Sequence, residues 1–209
     1  METPLLNPWF SMWLHPRQTI RQIVSTNPDR LVVLLAAVGG IAEALTNAAS
    51  DSKGDDISLQ AILLTALFGG PIMGIVGLWL GGLLLRWTGG WLGGQADTRS
   101  VRTALAWANV PLIWSLLLWG PALLFFGAEL FTTATPAIDA SSMFAGLYLV
   151  FTLGIGIVSL WALVAFFHAL GEVQGFSAWK ALGNSILAGL VVAIPLLVLA
   201  LAMVWISRL

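Results

Sequence analysis

Residues 57–85 read Ile57-SLQAILLTALFGGPIMGIVGLWLGGLL-Leu85, twenty-nine positions without a formal charge. A hydrocarbon core about 30 Å thick is crossed by about 20 apolar residues of helix, so this stretch spans it with residues to spare. A helix satisfies its own backbone hydrogen bonds in lipid, which an open strand cannot do. Working outward, three more charge-free stretches appear: Thr103 to Ala128, Ala140 to Gly171 and Ala181 to Ser207. A fifth, Leu31 to Ala49, is interrupted only by Glu43. The roughly 10-residue alternating segments of a membrane barrel are absent.

The expected fold is therefore all-α: a polytopic membrane protein with a five-helix transmembrane bundle. Residues 1–30 form a lead-in. Residues 31–207 hold the spans, at about 31–49, 59–88, 103–127, 142–170 and 180–206. The composition agrees. Of 209 residues, 9% are charged and 58% hydrophobic, and mean hydropathy is +0.92. A soluble domain carries about 25% charge, so a water-soluble enzyme is excluded. A net charge of −1 offers no basic field for nucleic acid. With no Cys, disulfides and thiolate metal sites are excluded.

Charge on the connecting segments orients the chain. With the N-terminus in the cytoplasm, the inner segments hold Arg17, Arg21, Arg30, Arg86, Arg99, Arg102 and Lys180, and the outer ones only Lys53 and Arg208. The positive-inside rule then predicts an inner N-terminus and an outer C-terminus. Met1-Glu2-Thr3-Pro4 has no basic n-region, so no cleavable signal is expected. In the lead-in, Ile20, Ile23 and Val24 share a helix side with Arg17 and Arg21 beside it, and Trp9 and Trp13 are one turn apart. This reads as a short amphipathic interfacial helix, its rings at the membrane boundary and its arginines toward anionic lipid. The alternative is a lead-in packed on the helix ends.

Inside lipid, helices associate by close approach on small side chains. Span two carries Gly70, Gly74, Gly77 and Gly81 at helical spacing. Span one carries Ala36, Gly40, Glu43 and Asn47, and span five Ser185, Gly189 and Ala193. Such stripes build one bundle or mediate homo-oligomers. Pro71, Pro111, Pro121 and Pro195 are expected to kink their spans.

Glu43 lies roughly 18 Å along span one at ~1.5 Å per residue. A carboxylate at that depth must shed its charge, find a partner or face a wet cavity. With Asn47, and with Glu129 at a similar outer depth, it forms the candidate intramembrane polar site, for a proton or a cation. The alternative is a Glu43 hydrogen-bonded across the bundle and a Glu129 at the water boundary. His168 and Glu172, one turn apart near the inner end of span four, form an inner-surface polar pair. Two ligands are too few for a metal, so a helix-end cap is expected, with Glu172 reaching Lys180 across the following turn. No His-Glu-x-x-His, phosphate-cradling loop or nucleophile elbow occurs. Neither catalysis nor a cofactor is expected.

Three stretches resemble a known family. They are Asn7-Pro8-Trp9-Phe10 through Arg21, Leu92-Gly93-Gly94 through Asn109-Val110-Pro111, and Trp161 through Gly171-Glu172-Val173-Gln174-Gly175-Phe176-Ser177 to Leu182. Their order and spacing resemble bacterial Yip-domain proteins, relatives of the Ypt/Rab-interacting membrane proteins. The resemblance implies five spans in the bacterial inner membrane and no carried-over catalytic residue. Eukaryotic members work with small GTPases through a long N-terminal region and an Asp-Leu-Tyr-Gly-Pro element. This sequence has neither, so a Rab-like GTPase is not expected as a partner. The expected partners are the lipid bilayer and other membrane proteins, or a second copy.

Two functions compete. One is a non-enzymatic membrane-organising or partner-binding module acting through the lead-in and inner loops. The other is a small transporter or channel for protons, cations or a small solute using Glu43. Whether Glu43 lines a cavity or is sealed among Gly and Ala discriminates them.

Overall fold

The computed structural model describes residues 6–207, and they are helical with no strand among them. Two short helices, α1 (Pro8–Leu14) and α2 (Pro16–Thr26), precede the bundle. Five helices long and apolar enough to cross a membrane follow: span one Val32–Ser50, span two Leu59–Trp91, span three Thr98–Phe131, span four Ser142–Gln174 and span five Ala178–Ile206. Each span packs against at least two others.

Spans one and two make the tightest contact. A Cβ added to Gly40 would land on the Gly70 carbonyl oxygen, and one added to Gly74 on the Ala36 carbonyl oxygen. Only glycine lets the two backbones meet in this way. The rest of the glycine stripe behaves differently. A Cβ at Gly77 meets nothing within 4 Å, and one at Gly81 would stand 3.7 Å from Leu105 Cδ1. Gly77 and Gly81 therefore do not share in the close contact expected of all four.

Prolines mark the irregular turns. Pro71 cannot donate to the carbonyl four residues back, and its ring crowds that carbonyl. The turn before it, Thr65–Gly69, widens to a π-helix. Span three is interrupted at Asn109, whose N–H donates to Ala106 O at 3.3 Å, and restarts at Val110 with Pro111 in its first turn. Span four is unbroken over 33 residues. At ~1.5 Å per residue it is about 50 Å long, more than a bilayer core is thick.

The projecting end of span four seats the lead-in. Met12 and Ile20 are fully buried against Leu35, Trp107 and Ala169. The corner between α1 and α2 is tied by Thr19, whose hydroxyl is 2.8 Å from both Ser11 Oγ and the His15 carbonyl. The segment into span one is pinned to span three: Thr103 Oγ1 donates to Pro28 O at 2.6 Å, Trp107 Nε1 to Arg30 O at 3.1 Å, and Arg99 Nε to Asp29 Oδ1 at 2.8 Å.

Span five is attached by one half. Ala181, Asn184 and Ala188 are buried, whereas residues 192–206 are exposed. Its packing face is therefore not the expected Ser185, Gly189 and Ala193. Asn184 is the reason. It accepts from Thr88 Oγ1 at 2.6 Å and donates to Leu85 O at 3.0 Å. Gln174 Nε2 reaches the same carbonyl at 3.0 Å. These polar groups bind spans two, four and five at one level.

Gly40→Ala or Gly74→Ala forces the two backbones apart and costs about 1–3 kcal/mol, whereas Gly77→Ala is neutral or stabilising. Unfolding midpoints in detergent will separate the two classes.

The Arg99 hydrogen bond holds the Asp29 carboxyl below its ordinary 3.8. Bonds to Ser100 do the same for Asp97, the N-cap of span three. A depressed carboxyl contributes stability that is full above the ordinary value and lost as pH falls through the lower folded one. Hydrogen exchange in residues 27–31, corrected for its intrinsic pH dependence, will stay slow down to about pH 4 and accelerate only below it. Asp29→Asn will accelerate it at neutral pH.

Candidate functional site

A groove of about 800 Å³ runs between spans one, two, three and four. Its wall on span one is Ala36, Gly40, Glu43 and Asn47. The Gly40–Gly70 contact sets it: Glu43 follows Gly40 by about one turn, at the edge of the backbone contact rather than inside it. Glu43 and Asn47 are exposed in the groove, and Glu43 has no hydrogen bond or ion pair to any described residue. Span two contributes Thr65 and Gly69 from the π-turn, span three Asn109 from its break, and span four Ser159. The Ser159 hydroxyl oxygen is buried and unpartnered among the described residues. Toward the lead-in end the wall becomes apolar, with Leu78, Leu105, Leu163 and Phe166. Glu43 is therefore not sealed among Gly and Ala.

Glu129 is not part of this groove. Its two carboxylate oxygens accept from the Ala137 and Ile138 N–H groups at 2.9 and 3.0 Å. They cap the one-turn helix Pro136–Asp139. Of the two readings, an approach of Glu43 and Glu129 or a Glu129 apart from it, the structure has the second, because backbone donors stand eight and nine residues along the chain from Glu129.

The inner-surface pair also divides. His168 Nδ1 faces the Val164 carbonyl at 2.9 Å, one turn back on its own helix. Glu172 turns to the lead-in, accepting from Arg21 Nε at 2.7 Å, with Arg17 Nη1 at 3.6 Å. Arg17 Nη2 also donates to Phe176 O at 2.9 Å. Lys180 does not reach Glu172. Its ammonium sits 4.6 Å over the Phe176 ring.

Trp9, Trp13, Arg17 and Arg21 each also hold the lead-in to the bundle, while the Arg21 side chain stays largely exposed. Trp9 lies edge-on to the buried Trp107, ring centroids 5.9 Å apart. The Trp13 carbonyl accepts from Trp161 Nε1 at 2.9 Å. The reason is the length of span four, which lifts Glu172 to the level of α2 and gives the arginines a protein carboxylate.

Sequence reasoning passed over Asn109 and Ser159 in the groove, and Thr88, Gln174 and Asn184 as a buried network. Asn109 carried a signal: an amide two residues before a proline in mid-span, where a helix must break. Gln174 carried none: a Cβ on either Gly89 or Gly94 would collide with its side chain, but the glycine pairs do not announce what fills that space.

No curated protein and no solved structure matched the chain. A family model for the Yip1 domain matched residues 10–206. That match takes in most of α1, all of α2, the groove and all five spans, and the chain is a multi-pass membrane protein belonging to the Yip1 domain family.

Proposed function

We propose that the chain is a non-enzymatic membrane-organising module. It lies in a bacterial inner membrane with its N-terminus in the cytoplasm and its C-terminus outside. It gathers anionic lipid, and partner proteins with it, on its inner end. One observation carries this reading. Glu172 locks α2 against the end of span four, so the basic and aromatic end of the bundle is a preformed surface rather than a loose tail. Around this platform Arg30, Arg86 and Lys180 carry no ion pair among the described residues, and Trp87, Trp91 and Trp179 are exposed. Exposed indoles beside free cations suit the headgroup level of an inner leaflet.

A second reading, passage of protons, cations or a small solute, is favoured by the groove. Its carboxylate is open rather than sealed, and the widened turn before Pro71 borders it.

Near an anionic surface each Lys or Arg contributes about 1 kcal/mol. Arg86→Glu with Lys180→Glu will lower co-purifying anionic lipid at least about fivefold. Unchanged lipid and unchanged protein recovery from native membranes would overturn the platform reading. For the second reading, proteoliposome flux of protons or cations should fall in Glu43→Gln. Equal flux in variant and parent removes it.

A further inference from the structure

We infer that the Glu43 groove is a binding site for a primary amine carried on an aliphatic chain and taken from the lipid phase. Four observations converge. Glu43 is the intramembrane carboxylate, and the structure leaves it without a protein partner while Glu129, Glu172, Asp29 and Asp97 each have one. A bare carboxylate in hydrocarbon is costly, so an occupant of opposite charge is favoured. Asn47, Asn109 and Thr65 line the same groove, and each carries a neutral oxygen that can accept. An ammonium has three donors and no acceptor, which suits one carboxylate with neutral oxygens about it. A hard divalent cation needs a cage of oxygens with more than one carboxylate.

The shape gives the rest of the ligand. From Asn47 to Ala36 the groove follows span one for about 16 Å at 1.5 Å per residue. Glu43 and Asn47 lie toward one end, Asn109 packs beside Gly39 between, and the apolar wall of Leu78, Leu105, Leu163 and Phe166 lies toward the other. A bare ion would leave that wall unused. A chain lying along it, amine toward Glu43, has the polarity of a lipid whose head faces the far side of the membrane from α1 and α2. The groove lies between membrane-crossing helices, so lipid is the natural source of such a chain. Binding needs no passage across the membrane, so the inference stands apart from both the platform and the transport readings.

The experiment is equilibrium binding of radiolabelled dodecylamine to the full chain in nanodiscs of zwitterionic lipid, with empty nanodiscs subtracted. Saturable binding near one per protein is expected, uncontested by dodecanol, which lacks the charge, or by butylamine, which lacks the chain. Glu43→Gln should weaken it at least about tenfold through loss of a charge-assisted hydrogen bond. Gly77→Leu should block it by filling the groove, at a position where an added Cβ meets nothing within 4 Å. An unfolding midpoint equal to the parent's shows that each variant is folded. Uptake no greater than in empty nanodiscs overturns the inference. So does binding unaffected by either variant, or competition by dodecanol or butylamine equal to that of dodecylamine. Binding without ion flux supports the inference while removing only the transport reading.

Discussion

The contact of backbone on backbone at Gly40, Gly70 and Gly74 governs the arrangement of the bundle. Lipid is as apolar as leucine, so no hydrophobic force draws two spans together, and close approach must do so. Here it proceeds until carbonyl oxygens lie where side chains would be. Glu43 stands about 60° round the helix from Gly40 at 3.6 residues per turn. It is carried to the rim of the contact, neither pressed into it nor turned fully away. The π-turn before Pro71 borders the same rim from the opposite helix. The groove is what remains when two helices pack this closely on one side and the neighbouring spans cannot follow.

The five spans were legible because charges are so few that their positions mark the loops. Which glycines pack was not. Gly70, Gly74, Gly77 and Gly81 have the same helical spacing, yet the first two meet Gly40 and Ala36 and the last two meet a side chain or nothing. The difference lies in what stands opposite, which helical spacing within one span does not encode. Glu172 shows the same limit. Neighbouring residues suggested His168 and Lys180, but its partner Arg21 is 151 positions away in the chain. A helix longer than the membrane is thick places such a residue beyond the core, where distant segments compete for it.

At the site, Glu43 was legible because a formal charge inside an apolar stretch stands out. Ser159 and Asn109 were not. Small hydroxyl side chains in membrane helices ordinarily bond to their own backbone, as Thr46 does to Ala42 O and Ser185 to Ala181 O, at 2.8 and 3.0 Å. Ser159 differs by lacking such a partner. That property depends on rotamer and surroundings, and nothing in residue identity announces it. The lead-in was amphipathic as expected, but the carboxylate on span four that meets its arginines was not foreseen, since it lies far along the chain.

Span five is held at one end by Asn184, Ala181 and Ala188 and free along residues 192–206. It is a cantilever: within this chain no other span braces its far half. The bundle fixes where this helix starts and leaves its far half without a neighbouring span to set its lean. Any lean of that half is therefore levered at the joint where Gln174 and Asn184 meet the Leu85 carbonyl.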